Sequence, residues 1–268
     1  AVGDRIAIFT NNDDAYRTAH DLHQLGIEIA AVIDSRPEAP KSNSFEVLSA
    51  SEVVNTHGRL GLNSIDVKTP QGLRQIRVSG LGVSGGWNPN IHLTCHQRGR
   101  PQWDAALSAF IPSAELPEGL HVAGAANGQM TTAAAIDDAV KKAAKITKGF
   151  GRKPTMLTKL KISDESTSIT PFWYVTGTER GWVDQQNDVT VKDIKLAHQE
   201  NFRSVEHLKR YTTLGMATDQ GKTSNVLGLA IMAHTAGQSI PDTGTTIYRP
   251  PYSPVSYTHL TLPTMLPV

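Results

Sequence analysis

Between Gly215 and Asn225 the chain reads GMATDQGKTSN, which sets two glycines, three hydroxyls and one ammonium immediately ahead of an apolar run. Pliable backbone and a lysine at a helix start are what an anion such as phosphate needs, because the first amides of a helix point outward unbonded and a point charge adds to them. Lys222 is the charged member of that set. Other chemistry-bearing residues do not assemble into known patterns. His92, Cys95 and His96 form a superficially metal-like H-x-x-C-H group, and His20 and His23 lie one helical turn apart, yet neither reaches four ligands at a zinc spacing. There is no H-E-x-x-H, so metal-dependent hydrolase chemistry of that kind has no support.

Three helices must position the loop. Thr190 is an N-cap with Asp193 three residues on, so Val191–Glu200 starts as a helix with a favourable first-turn charge and with Ile194, Leu196 and Ala197 as its buried stripe. Ser204 opens a second helix with His207 at its third position, running through Val205, Leu208 and Tyr211 to a left-handed end at Gly215. An apolar helix from Asn225 to Ala236 follows. Two short helices with Lys209 and Arg210 nearby could suggest a DNA-reading motif. The chain carries 26 basic against 25 acidic residues and a formal charge of +1, far from a phosphate-directed field, so no nucleic-acid partner is expected.

The first half has the pattern of a parallel-sheet unit. The strand Arg5–Thr10, the helix-like run Ala15–Leu25 ended by Gly26, and the strand Glu28–Ile33 finishing at Asp34 make a strand-helix-strand unit. Asp34 stands where nucleotide-binding versions place the acid that takes the ribose hydroxyls. The phosphate loop does not match: TNNDDA replaces G-x-G-x-x-G, and two carboxylates at the helix start would repel a pyrophosphate, so a structural role is preferred. Beyond it, Ser64–Thr69 and Arg74–Val78 alternate as a hairpin around Pro70-Gln71-Gly72.

The stretch VDQQNDVTVKDIKLAHQENFRSVEHLKRYTTLGMATDQGKTSNV, Val183 to Val226, resembles the bacterioferritin-associated-ferredoxin-like domain of amine-oxidising flavoenzymes. It is most similar to the version without a metal cluster in alpha subunits of heterotetrameric sarcosine oxidases. QNDVTVKDI, FRSVEHLKRYTTLGMATDQGKTSNV and RPPYSPVS are its most specific segments, and the resemblance covers nearly all of residues 1–255. In cluster-binding relatives four cysteines stand where this chain has Asp184, Gln186, Asp219 and Ser224; its one cysteine, Cys95, lies elsewhere, so no iron-sulfur cluster is expected. The segments with Gly85, Gly86 and Trp87, and with Gly124, Ala125 and Asn127, resemble cofactor-approach turns of two-dinucleotide-domain flavoproteins. In the second, a late strand would end in a motif opening a helix. Ala125 replaces the acid that meets the flavin ribityl chain, which argues against flavin adenine dinucleotide there and is compatible with a structural NAD.

The resemblance further implies an enzyme oxidising sarcosine with O2 to glycine, hydrogen peroxide and formaldehyde or methylene-tetrahydrofolate. Substrate oxidation would belong to the beta subunit, with its FAD and covalently attached FMN. This chain would bind NAD, dock the beta subunit alongside gamma and delta partners, and form one wall of the FMN site with Arg210, Thr212, Thr213 and Lys222. No catalytic residue is assigned to it, and the chain alone is expected to be inactive. A non-catalytic assembly module, or the alpha subunit of a related proline, hydroxyproline or opine dehydrogenase, is the alternative.

The expected fold class is α/β, a partial two-dinucleotide-domain region with a parallel sheet and then a small mainly helical domain. The expected boundaries are a nucleotide-binding region over 1–150, a linker over 151–180 and the cluster-less helical domain over 181–245. Residues 246–255 would begin a folate-binding aminomethyltransferase-like domain, and 256–268 read as translated sequencing adaptor. At 39% hydrophobic and 19% charged, with one cysteine and no apolar run near the ~20 residues of a membrane span, the 268 residues read as soluble, cytoplasmic protein.

Overall fold

Side chains alternate sides along a strand, and in Arg5–Thr10 (β1) this produces a sheet buried on both faces. Ile6 and Ile8 enter a cluster with Ala15, Tyr16, Ala19 and Val32, whereas Ala7 enters another with Ala31, Ile33, Val53, Ile65 and Val67. The computed structural model describes residues 3–97, 99–155, 162–163, 165–177 and 181–248. It divides into two units, Ala1–Trp87 with Asp164–Glu179, and Asn88–Ser163 with Arg180–Val268.

The first unit continues with α1 (Asp14–Gln24), β2 (Glu28–Asp34), β3 (Val47–Leu48), β4 (Glu52–His57), β5 (Ser64–Thr69), β6 (Gly72–Arg77) and β7 (Gly80–Ser84). A parallel sheet of order β3-β2-β1-β7 has α1 on one face. On the other face lies an antiparallel meander of β4, β5 and β6. The expected hairpin is there, paired from Ser64↔Arg77 to Thr69↔Gly72. Its third strand, EVVNTH, adds a partner that the sequence pattern did not announce. Gly26, at φ +82°, turns the chain out of α1 and donates to the His23 carbonyl at 3.0 Å.

Asp34 lies at the carboxyl end of β2 and is fully buried. It accepts from the Arg36 amide (2.9 Å), from Arg36 Nε (3.0 Å) and Nη2 (2.8 Å), and from the Tyr16 hydroxyl (2.7 Å). Burial first, and then the Asp34 hydrogen bond, raise the Tyr16 phenol above its ordinary pKa. Arg36 reaches on to Asp13 Oδ1 at 2.7 Å. The residue placed for ribose hydroxyls is therefore enclosed in an ion-pair knot.

The crevice at the carboxyl ends of β1 and β7, where open parallel sheets take their ligands, is likewise filled from within. Asn12 Nδ2 donates to the Ser84 carbonyl at 2.9 Å. The segment 165–172 crosses the same edge. Asp13 N donates to the Ser168 carbonyl (3.0 Å), Thr170 N to the Asn11 carbonyl (3.0 Å), and Asn11 Nδ2 to the Thr170 carbonyl (2.8 Å). These residues do not fit a dinucleotide at β1-α1.

The second unit contains α2 (His92–Cys95), β8 (Gln102–Asp104), β9 (Ala109–Ile111), a 3-10 turn at Gly124–Asn127, α3 (Thr132–Gly149), β10 (Trp182–Asp184) and β11 (Val189–Thr190). Four helices follow: α4 (Val191–Gln199), α5 (Val205–Thr212), α6 (Asn225–Ala236) and α7 (Ile240–Thr243). Helix α6 is the core, with Gly228 through Ala233 all buried, as its all-round apolar sequence requires. Gly228 is small because a Cβ there would collide with Leu214.

Thr190 and Asp193 form a reciprocal capping box, and the Ser204 hydroxyl accepts from His207 N. Two expectations for these helices are corrected. Leu196 is 44% exposed; the buried stripe is Val191, Ile194 and Ala197, and Leu196 stands about 200° round the helix from Ile194. Helix α5 ends at left-handed Thr213 (φ 62°) rather than at Gly215, because the Thr212 hydroxyl donates to the Leu208 carbonyl and accepts from Leu214 N.

The chain's division also differs from the expected boundaries at 150 and 180. Residues 88–163 group with the helical unit: Ile91 and Phe110 share a buried cluster with Leu229. Residues 164–179 group with the sheet through the crossing segment. The expected strand before Gly124 is irregular chain, and the turn stands in its place.

Asp34→Ala strips a buried guanidinium of its main partner and leaves the Tyr16 hydroxyl without an acceptor. Urea unfolding monitored on the first unit should show a loss of roughly 3 kcal/mol or more, and Tyr16→Phe a loss of about 1 kcal/mol.

Candidate functional site

Lys222 lines a concavity of about 180 Å3 in the second unit. Its polar wall is Asn88, Asn90 and His92, and its apolar wall includes Ile91, Phe110 and Val226. Tyr248 closes it, lying against the His92 ring with centroids 3.7 Å apart and planes at 33°. His92 Nδ1 meets Asn90 Oδ1 at 2.9 Å, which fixes the ring's orientation. Burial, then the Lys222 charge and then His96, push the imidazole pKa down to about 4, so it is neutral at ordinary pH. Burial raises the Cys95 thiol, whose sulfur lies 3.6 Å from the Ile91 carbonyl.

The loop before α6 is folded around its own side chains. Gly215 and Gly221 have φ of +67° and +74°, and a Cβ on either would strike the buried Asn225 carboxamide. Asp219 accepts from Gly221 N (3.1 Å), Thr223 Oγ1 (2.8 Å) and Thr223 N (3.4 Å). Burial would raise the Asp219 carboxyl, but bonds from Thr223 and Gly221 and the charge of Lys222 hold it below the usual range. The expected cradle of helix-start amides is thus corrected: amides at 221 and 223 serve Asp219, and Asn225 N donates to the Gly221 carbonyl at 3.0 Å. The Lys222 side chain, which lines the pocket, is what the loop presents there.

Two of the other positions matching cluster ligands, Asp184 and Gln186, also hold loops together, whereas the buried Ser224 hydroxyl has no hydrogen-bond partner among the described residues. Asp184, 3% exposed, accepts from Gln186 N (2.9 Å), Asn187 N (3.2 Å) and Gly215 N (2.8 Å). The Thr218 hydroxyl donates to Gln186 Oε1 at 2.8 Å. Among the described residues no group of three His, Cys, Asp or Glu side chains is placed to hold a metal ion.

The residues expected at a cofactor fall into separate places. Arg210, Thr212 and Thr213 sit together at the end of α5, with Arg210 and Thr213 exposed, but they do not line the Lys222 pocket. Gly124, Ala125 and Asn127 form the 3-10 turn. Gly124 N and Asn127 Nδ2 both donate to Asp138 Oδ2, at 3.0 and 3.3 Å, while Ala125 is exposed. Gly85, Gly86 and Trp87 follow β7 in the first unit. There Trp87 Nε1 donates to Asp14 Oδ2 at 3.1 Å, and a Cβ on Gly86 would lie 2.5 Å from Ile169 Cδ1. Sequence reading missed Asn88, Asn90, Phe110 and Tyr248, and weighed His92 only as a metal ligand; the N-x-N-x-H spacing was the signal available.

The architecture defines the class first: a mixed α/β protein in which a parallel sheet precedes a helical unit. The crystal structure of L-proline dehydrogenase from P. horikoshii has this fold, with a TM-score of 0.70 at 17% identity over 94% of this chain and 48% of that one. Sequence identifies the relatives more narrowly. The chain is 38% identical over 266 residues to the sarcosine oxidase subunit alpha of Rhizobium meliloti (strain 1021), covering 97% of this chain and 27% of the relative. It is 34% identical to that of Corynebacterium sp. (strain P-1), over 96% of this chain and 29% of the relative. Residues 178–262 match the family model of the sarcosine oxidase A3 domain. The chain is thus similar to sarcosine oxidase alpha subunits and spans between 27% and 29% of the length of these relatives. No helix among the described residues is long and apolar enough to cross a membrane.

Because folding keeps His92 neutral, the unfolded chain binds the extra proton between its ordinary pKa of 6.5 and about 4. This contribution to stability is complete above pH 6.5 and is lost as pH falls towards 4. Urea midpoints at pH 7 and pH 5 should differ more for the wild type than for His92→Gln. Equal pH slopes in the two chains would refute this reading.

Proposed function

We propose that this chain is part of the alpha subunit of a heterotetrameric sarcosine oxidase. Its complex would oxidise sarcosine with O2 to glycine, hydrogen peroxide and formaldehyde or methylene-tetrahydrofolate. The observation that carries the reading is the 38% identity maintained over 97% of the chain. Within the complex the chain holds a structural NAD and contributes one wall of an FMN site at the beta-subunit interface. Sarcosine itself is oxidised on the beta subunit, with its FAD, and gamma and delta subunits complete the assembly. No iron-sulfur cluster takes part, and the folate-binding domain follows this stretch of chain.

For FMN, the Lys222 pocket fits a phosphate, since among the described residues its lining offers one cation and two carboxamides and no carboxylate. Arg210, Thr212 and Thr213, at the end of α5 and outside that pocket, are the other residues proposed to contact the flavin. A bound flavin supplies the electron acceptor; the chain's residues bind and orient it. For NAD, the residues proposed are Gly85, Gly86 and Trp87 in the first unit, where a Cβ on Gly85 would meet nothing within 4 Å, and, taken by themselves in the second unit, Gly124, Ala125 and Asn127, where Ala125 is exposed.

Lys222→Ala in the assembled complex should lower the FMN retained after gel filtration by about tenfold at limiting flavin, with the thermal midpoint of the chain unchanged. Full FMN content in that variant would favour a non-catalytic assembly module instead.

A further inference from the structure

Helix α3 carries two stripes of opposite character and buries no residue completely. Ala133, Ile136, Val140 and Ala144, spaced by three and four, are half-buried. Lys141, Lys145 and Lys148, spaced by four and three, stand exposed on the other side. From Lys141 to Lys153 the chain has six basic residues and no acidic one. Lys141 is answered by Asp137 at 2.5 Å and Lys142 by Asp138 at 3.7 Å, each one turn back. Lys145, Lys148, Arg152 and Lys153 are all exposed, and among the described residues none of these four takes part in an ion pair.

A cation in the last turn of a helix is explained by the carbonyl dipole it faces, and that accounts for Lys148. It does not account for a stripe of like charges, which repel at these spacings, or for Arg152 and Lys153 beyond the helix. The exit turn keeps those two beside the helix end. Gly151, at φ +70°, donates to the Lys148 carbonyl at 2.9 Å, and Arg152 N donates to the Thr147 carbonyl at 3.1 Å. Phe150 stands out among them, 78% exposed, and a Cβ on Gly149 or Gly151 would meet nothing within 4 Å, so the space around the ring is open. An open aromatic ring with a guanidinium and ammonium rim has the composition of a protein-docking anchor. A bilayer is a poorer match, because the apolar stripe of α3 is turned into the protein. Duplex nucleic acid is poorer too, since a chain of formal charge +1 supplies no extended field.

We propose that the exit of α3, with Lys145, Lys148, Phe150, Arg152 and Lys153, is a docking surface for an acidic face of another subunit, whose carboxylates meet the cations while an apolar hollow takes the Phe150 ring. The subunit as occupant rests on the reading of this chain as one part of a multi-subunit enzyme. The chemistry of the surface does not. Complementary charge speeds the encounter and fixes register, and the ring supplies contact that persists when salt screens the charges.

The test titrates the whole 268-residue chain against fluorescein-labelled poly-glutamate and against a glutamate peptide punctuated by leucines, read by fluorescence anisotropy. Saturable binding that weakens as sodium chloride is raised is expected, tighter for the leucine peptide. Lys145→Gln with Lys148→Gln should weaken both by about tenfold, whereas the charge-matched pair Lys41→Gln with Lys68→Gln in the first unit should change neither. Phe150→Ala should remove the preference for leucine and keep poly-glutamate binding. Thermal midpoints equal to wild type show that the variants fold. Binding that is absent, equal in all variants, or exceeded by binding to phosphatidylserine-containing vesicles or to duplex DNA overturns the proposal. In the assembled complex, carbodiimide, which joins amines to carboxylates in contact, should link Lys145 or Lys148 to a different subunit. A complex that forms without such links overturns the proposal and leaves the assignment to a sarcosine oxidase intact. Failure of any complex to form overturns both.

Discussion

A carboxylate taken out of water must be given hydrogen-bond donors, and much of this structure is arranged around that requirement. Asp34 draws Arg36 and Tyr16 together at the carboxyl end of β2. Asp184 gathers three backbone amides and ties the β10–β11 turn to the loop after α5. Asp138 fastens the turn at Gly124, and Asp219 fastens the loop before α6. At the loop before α6 the donors so used, the amides of Gly221 and Thr223, are ones that a bound anion would otherwise take.

That arrangement leaves side chains rather than these amides to face the Lys222 pocket. With the amides of Gly221 and Thr223 committed to Asp219, a phosphate at the proposed flavin site would meet a long, flexible ammonium and two carboxamides. Such a site is tuned by single substitutions, whereas a site built from main-chain amides is set by the course of the backbone. It also differs from the helix-terminus cradle that the residue string Gly-Lys-Thr-Ser suggests.

Local signals in the sequence were accurate where a few neighbouring residues decide the outcome. The caps at Thr190 and Ser204, the extent of α6, the β1-α1-β2 unit and the turn at Pro70-Gln71 follow from spacing and side-chain chemistry alone. What was not legible depends on residues distant in sequence. The return of 165–172 to the end of β1, and the gathering of Asn88, His92 and Tyr248 around Lys222, leave no periodic trace in any one segment. Leu196 shows the limit at short range too, since an apolar residue marks a helix without stating which side of it is covered.

The crossing segment also has a bearing on how the chain folds as it leaves the ribosome. β7 ends at Ser84, and the residues that complete the edge of its sheet emerge only with Ser168 and Thr170. Until then residues 88–163 separate the two stretches of the first unit, and Leu229, the buried partner of Ile91 and Phe110, has yet to be made. Closing so long a loop is entropically costly and raises the separation of native contacts, so the first unit finishes late despite being first in order. Its open crevice is therefore transiently exposed on the nascent chain, and that interval, rather than the finished protein, is when the edge at Asn11 and Asn12 is open to misplaced pairing.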